Sequence, residues 1–179
     1  MSDFAKIVGP GEFQLERVLP GPIERVWAYL TESELRGKWF ASGTMDLRVG
    51  SRFDLYFHHA DLSREKTPPP KYEKISDGFA SPSQITQCEP PRLLAYTSTF
   101  GSQESEVVFE LTPQGDDVRL VLTHRRLAST KDMMGFSSGW HSHLGILDDN
   151  LAGREPRPFW TTHAQLEKEY ERRFADAKL

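Results

Sequence analysis

The alternation of apolar and polar residues predicts that the chain opens with a strand followed by two short helices. From Glu12 to Leu19 apolar and polar side chains alternate, which is typical of a half-buried strand. After a glycine, Pro22 suits the first position of a helix, and apolar residues recur at helical spacing from Ile23 to Leu30. A second short helix is expected over residues 31–38, with Ser33 as its N-terminal cap.

The middle of the chain is dominated by patterns typical of antiparallel strands. The predicted strands cover residues 45–49, 52–58, 79–88, 93–100, 106–111 and 118–124. Residues Pro113–Asp117 between the last two indicate a tight hairpin turn. One charged segment, 64–74, contains three consecutive prolines, which supply no backbone donors to a sheet, so we expect a loop there.

The last third of the chain returns to helical periodicity. We expect a helix that begins at Ser137 or Ser138 and ends at Gly153, and a shorter charged helix with a capping box at Thr162–Gln165. The apolar stripe of the longer helix consists of Trp140, Leu144, Leu147 and Leu151. Because a sheet with one apolar face must cover that face, this helix is the expected cover.

Composition and charge are those of a soluble globular protein. Of the 179 residues 37% are hydrophobic and 27% charged, with a formal net charge of −4, so no basic excess favours nucleic acid as a partner. Cys88 is the single cysteine and excludes an intrachain disulfide. Neither a secretory signal nor an apolar run of roughly 20 residues is recognised, so we expect a cytoplasmic location and no membrane span.

Several short motifs, in the same order, resemble one known family. They are the opening helix Pro22–Thr31, the segment Leu35–Phe40, the stretch Met45–Phe53, the proline turn Glu89–Leu94 and the pair Gly139-Trp140. The resemblance is to the activator of heat-shock protein 90 ATPase homologue 1-like family. That family belongs to the helix-grip superfamily (START or SRPBCC), together with lipid-transfer domains, pollen-allergen-like proteins and polyketide cyclases.

The resemblance implies an α+β helix-grip fold. We expect a curved antiparallel sheet of about six or seven strands wrapped around a long C-terminal helix, with two short helices after the first strand. Residues 12–153 carry the resemblance, so residues 1–153 are interpreted as a single domain. Residues 154–179 are interpreted as a helical extension and not as a separate domain.

The leading functional hypothesis is a non-catalytic protein, stress-related by resemblance, that binds a small hydrophobic molecule between the sheet and the long helix. We expect no cofactor, no metal ligand and no catalytic residue. Trp39 and Phe40 are expected at the cavity entrance, or partly exposed for a partner. The candidate ligand-binding residues are Trp39, Phe40, Phe53, Leu55, Phe57, Tyr96, Phe109, Leu120, Leu122, His124, Trp140 and Leu144.

Two alternatives of different classes stay open. A protein-interaction module, a co-chaperone or a partner of a transcription regulator, predicts a filled core and an exposed apolar patch near Trp39-Phe40 or the final helix. A cyclase- or hydrolase-like enzyme predicts a polar cluster around His124 or Tyr96 inside the cavity. Either a monomer or a homodimer is compatible with the sequence.

The paired histidines do not predict a metal site. His141 and His143 lie two positions apart in a predicted helix and therefore point roughly 200° away from each other. His58 and His59 are neighbours at a strand end, where successive side chains face opposite sides, so one is expected to face the cavity and the other solvent.

Overall fold

The computed structural model describes residues 2–177, which form strands and helices with the following bounds. The strands are β1 (Lys6–Gly9), β2 (Glu12–Pro20), β3 (Arg52–Phe57), β4 (Phe79–Glu89), β5 (Leu93–Phe100), β6 (Gln103–Gln114) and β7 (Asp117–Arg125). The α-helices are α1 (Ile23–Thr31), α2 (Ser33–Gly37), α3 (Thr130–Leu151) and α4 (Phe159–Phe174), and short 3-10 helices lie at His59–Asp61 and Pro70–Ile75.

The seven strands form one antiparallel sheet in the order β1-β2-β7-β6-β5-β4-β3. Consecutive strands from β3 to β7 are neighbours, whereas α1 and α2 carry the chain from β2 to the opposite edge at β3. An irregularity between Ile85 and Gln87 shifts the register between β4 and β5, which is a device that bends a sheet. The predicted α+β helix-grip fold, with a curved sheet and a long C-terminal helix, is thereby confirmed.

The core lies between the sheet and the 22-residue helix α3. Alternate residues of the strands point to this side, so Leu15 of β2 and Leu122 of β7 are directly paired and almost completely buried. The predicted stripe of α3, from Trp140 to Leu151, is buried against them. The buried face of the strands, with every second residue apolar, and the apolar stripe of the helix therefore pack together as the sequence predicts. None of the helices within residues 2–177 has both the length and the apolar character that crossing a bilayer requires.

The strand predicted over residues 45–49 does not form. In its place Ser42 makes an isolated bridge with Tyr56 of β3. The buried guanidinium of Arg36 donates hydrogen bonds to the carbonyl oxygens of Ala41 (2.9 Å) and Gly43. These bonds hold the chain beside β3 in an irregular path, so no regular ladder is available to residues 45–49.

The predicted helix starts also differ from those observed. Helix α3 begins about two turns earlier than expected, because the Ser129 hydroxyl caps it by accepting a hydrogen bond from the Asp132 amide (3.0 Å). Helix α4 begins directly after Pro158, and not at the proposed capping box. Helix α2 is preceded by Glu32, and the hydroxyl of Ser33 instead accepts from the Gly43 amide (2.8 Å).

The proline-rich segment 64–74 packs against α4. Glu65 accepts a hydrogen bond from the Thr161 amide (2.9 Å), and the Tyr72 hydroxyl donates one to Glu167. The ammonium group of Lys71 forms an ion pair with the same carboxylate (2.5 Å). The segment therefore fastens the C-terminal helix to the rest of the molecule.

Candidate functional site

A cavity of about 130 Å³ lies between the first half of α3 and the sheet, at the end where β3, β4 and β5 meet. Its wall consists of six aromatic residues, three histidines, two glycines and one serine. They are Phe40, Phe57, Phe79, Phe100, Phe136, Trp140, His59, His124, His143, Gly135, Gly139 and Ser98. Gly135 is the exposed member of this set, so the cavity opens to solvent beside it.

Two glycines of α3 make the space. Gly135 and Gly139 lie about one turn apart, and a Cβ added to either would meet nothing within 4 Å. Glycine inside a helix costs about 1 kcal/mol relative to alanine. A close approach of another backbone is the common reason to accept that cost, and it is absent here. By contrast, a Cβ on Gly145 of the same helix would lie 3.1–3.2 Å from the Arg157 side chain.

The aromatic walls are packed against one another. Phe40 is stacked on Trp140 with ring centroids 4.6 Å apart, and Phe57 is stacked on Phe79 at 4.8 Å. Such contacts fix the ring planes and add to the stabilisation from burial. The cavity therefore has a defined shape with apolar faces.

The hydrogen bonds of His124 occupy both of its ring nitrogens. The indole N–H of Trp140 donates to Nδ1 (2.8 Å), so the proton of the neutral ring lies on Nε2, which donates to the Ser105 hydroxyl (2.7 Å). Burial lowers the pKa of His124 to about 3. Neither nitrogen is free to exchange a proton with a ligand, so the arrangement does not supply a general base at this position.

His143 and His59 present uncharged imidazoles to the cavity. His143 Nδ1 donates to the Trp39 carbonyl (2.8 Å), which leaves Nε2 with the lone pair. Burial, and then the charge of His59, hold the pKa of His143 well below its ordinary value. Burial, followed by the charge of His163, lowers the pKa of His59 to about 4. At neutral pH the wall therefore carries no charge, and both His143 Nε2 and the buried Nδ1 of His59 lack a hydrogen-bond partner among residues 2–177.

Four of the predicted ligand-binding residues line this cavity, namely Phe40, Phe57, His124 and Trp140. The other eight do not. Trp39, Phe53, Leu55, Tyr96, Phe109, Leu120, Leu122 and Leu144 are buried in the core. There, for example, Phe53 packs edge-on against Tyr96 at 5.4 Å. Any direct contact of these eight with a ligand stays a prediction.

Of the two alternatives for Trp39 and Phe40, partial exposure is wrong, whereas Phe40 does line the cavity. Trp39 is 0% exposed and its indole N–H donates to the Tyr29 carbonyl (2.8 Å), while Phe40 is 6% exposed. The reason is that Arg36 folds the chain after α2 inwards, under α3. The opposite facing of His58 and His59 is as expected, since His58 is half-exposed beside Asp61 and His59 is buried.

Sequence reasoning missed most of the cavity wall. Phe79, Phe100 and Phe136 were not singled out, and Gly135 lay outside the predicted helix. Two glycines four residues apart at the start of an amphipathic helix were the available signal. Within residues 2–177, no three histidine, cysteine or acidic side chains come close enough together to hold a metal ion.

A curved antiparallel sheet that holds a long C-terminal helix, with a cavity between them, defines the helix-grip class of proteins. Within that class, the model of the family described as Activator of Hsp90 ATPase homolog 1-like protein matches residues 20–152. The chain belongs to this family.

Solved structures show the same likeness. The solution structure of the protein encoded by gene BPP1335 of Bordetella parapertussis is 44% identical, with a TM-score of 0.81 over 96% of this chain and 93% of that one. CalU16 of Micromonospora echinospora is 23% identical, with a TM-score of 0.68 over 92% of this chain and 86% of that one. EF2215 of Enterococcus faecalis, a conserved protein of unknown function, is 18% identical, with a TM-score of 0.69 over 100% and 94%. The last two likenesses concern the fold alone. Among curated proteins, none matches the sequence significantly.

Proposed function

We propose that the protein binds a small apolar molecule in the cavity beneath the first half of α3, without catalysing a reaction on it. The observation that carries the proposal is the empty space in front of Gly135 and Gly139. Two glycines inside one helix lower its stability, and here no packed neighbour requires them. A ligand that occupies the space accounts for both.

The size and chemistry of the cavity limit the ligand. Its volume of about 130 Å³ is close to the roughly 150 Å³ that accommodates a benzene ring in an engineered protein cavity. Typical pockets for larger ligands measure about 300–1,000 Å³. The aromatic walls and neutral histidines favour a single ring or an aliphatic group of similar size. The lone pair on His143 Nε2 would orient one hydroxyl group of such a ligand.

The contacts of His124 support a role without catalysis. Its two nitrogens are satisfied by Trp140 and Ser105, so the residue singled out for an enzyme acts as a structural link between β7, β6 and α3. The interaction-module alternative expected an exposed apolar patch near Trp39-Phe40 or on the final helix. Trp39 and Phe40 are buried, and so are Trp160, Tyr170 and Phe174 of α4. A cytoplasmic location, a stress-related role and the oligomeric state stay predictions.

Fluorobenzene observed by ¹⁹F NMR tests the proposal. We expect saturable binding to the parent protein, and at least tenfold weaker binding to Gly139→Ala, because Gly139 lines the cavity and an added methyl group would take up open space there. Gly145→Ala is the matched control, since it makes the same substitution in the same helix away from this cavity.

The outcomes separate clearly. Binding that is lost in Gly139→Ala and kept in Gly145→Ala supports the proposal, provided that circular dichroism shows both variants folded. Equal affinity in Gly139→Ala, or no saturable signal with the parent protein for fluorobenzene, fluorocyclohexane and fluoroindole, would refute it.

A further inference from the structure

A second and larger pocket of about 470 Å³ lies beside the second half of α3 and shares no lining residue with the aromatic cavity. It forms where β2 continues beyond the end of β1, which pairs only with residues 12–14 of β2. The remainder of β2 therefore borders an open space between the sheet edge and the helix. Charged and polar side chains line this space, in contrast to the aromatic cavity.

Arg17 is the lining cation without a carboxylate partner among residues 2–177. It occupies the same side of β2 as the buried Leu15 and Leu19, and burial lowers its pKa. Its guanidinium donates one hydrogen bond, to the Glu16 carbonyl (2.6 Å). A partly buried guanidinium that lacks a counter-ion is costly, so the position requires an explanation.

The other two arginines of the wall are already neutralised. Arg119 pairs with Glu16 at 3.0 Å, and Arg157 pairs with Asp149 at 2.7 Å. The Asp148 carboxylate in the same wall pairs with Arg154 at 2.7 Å. These pairs cancel one another's charge, and what remains is Arg17 opposite the exposed carboxylate of Asp3.

His141 adds a neutral hydrogen-bond donor to the same wall. The Tyr170 hydroxyl accepts from the Ala5 amide (2.9 Å) and also lies 2.9 Å from Nδ1 of His141, to which it can give its own proton. Burial lowers the pKa of His141 to about 4, so at neutral pH the ring carries one proton, which lies on Nε2 when Nδ1 accepts from Tyr170. That Nε2–H has no acceptor within residues 2–177.

From this arrangement we infer that the pocket binds a small organic carboxylate, held by the guanidinium of Arg17 and the Nε2–H of His141. The planar guanidinium matches a carboxylate with two parallel hydrogen bonds, and an imidazole N–H adds a third donor. The bound anion supplies a carboxylate in direct hydrogen-bonded contact with Arg17, which Asp3 does not provide. The inference does not depend on the aromatic cavity.

Titration with sodium acetate, monitored by ¹H–¹⁵N NMR against sodium chloride at equal ionic strength, tests this inference. Saturable shifts are expected at the Arg17 Nε–H and at the amides of Leu144 and Gly145. Arg17→Lys keeps the charge but loses the planar fork, and we expect its affinity to fall at least tenfold. Arg48→Lys makes the same substitution at an exposed arginine outside the pocket, so it serves as the matched control with unchanged affinity.

A second test uses a variant at an exposed position, so that the buried core is not changed. Asp3→Asn removes the competing carboxylate from an exposed position, and we expect acetate to bind about threefold more tightly. Shifts that chloride reproduces, or that persist in Arg17→Lys, would overturn the site. Equal shifts with inorganic phosphate would overturn its preference for carboxylates, and an unchanged affinity in Asp3→Asn would show that Arg17 does not hold the anion.

Discussion

The two halves of helix α3 meet the same sheet in different ways. In the second half, Leu144 and Leu147 are completely buried and fill the space above the strands. In the first half, a Cβ added to Gly135 or Gly139 would meet nothing within 4 Å, and the cavity beside them is lined mainly by aromatic rings. The difference indicates that one half of the helix closes the fold, while the other half maintains a space.

The surroundings of the two halves differ in chemistry as well as in packing. The second half contributes the aliphatic stripe Leu144, Leu147 and Leu151 to the core, whereas the cavity beside the first half is lined by aromatic rings and the histidines 59, 124 and 143. Burial lowers the pKa of each of these imidazoles. Acidification therefore acts on the wall of the aromatic cavity, whereas loss of aliphatic volume acts on the packed stripe.

The largest expected effect tests the packed half. Leu147→Ala removes a completely buried side chain and is expected to lower the free energy of unfolding by about 2–5 kcal/mol. Phe136→Ala, next to the existing space and only partly buried, should cost clearly less. Urea denaturation monitored by circular dichroism measures both, and equal losses would contradict the contrast between the halves.

Acidification tests the histidine end. In the folded protein His59 stays neutral down to about pH 4 and His124 to about pH 3, whereas in the unfolded chain both take up protons near pH 6.5. The unfolded state therefore binds more protons between these values, and stability falls as pH falls through that window. One such buried histidine lowers the free energy of unfolding by about 2 kcal/mol between pH 7 and 5.

Urea denaturation at a series of pH values measures that dependence. His143→Asn removes one buried imidazole and keeps a donor for the Trp39 carbonyl, so its stability should vary less with pH. His58→Asn changes a half-exposed neighbour of His59. The stability of this variant should vary with pH as steeply as that of the parent protein. A parent protein equally stable at pH 5 and pH 7 would show that these imidazoles do not stay neutral on folding.

The smallest effect compares the glycines themselves. Gly139→Ala should raise the free energy of unfolding by about 0.5–1 kcal/mol, since alanine favours the helix and meets no neighbour. Gly145→Ala should gain less, because its methyl group would press on Arg157, which Asp149 holds in place. Thermal unfolding of the two variants measures the difference. An equal gain would show that the Arg157 side chain moves away from the methyl group without a loss of stability.

The fold was predictable because its strand and helix patterns each extend over many residues. The alternation in β2 and β7 and the stripe from Trp140 to Leu151 each identify one buried face, and both faces are observed buried. The start of α3 was not predictable in the same way. Several serines upstream of Trp140 are plausible caps, and only tertiary structure shows that Ser129 is used.

The position of the cavity could not be predicted from periodicity. A pattern shows which side of a strand is buried, but not whether a neighbour fills the space in front of it. Tyr96 and Phe109 meet ring to ring at 5.8 Å and fill the centre. The space lies instead where glycines replace side chains in α3. The division at residue 153, with the remainder as an extension of the domain, stays a prediction.

The attachment of α4 has a consequence for the order of folding. Phe159 and Trp160 cover His59 at ring distances of 5.0 Å, and Tyr170 accepts a hydrogen bond from Ala5, 165 residues away along the chain. At a synthesis rate of about 5–20 residues per second, the last residue of α3 is added roughly 1–5 seconds before the last residue of α4. During that interval the histidine side of the aromatic cavity lacks its outer cover, so a nascent chain exposes apolar surface there until its last helix docks.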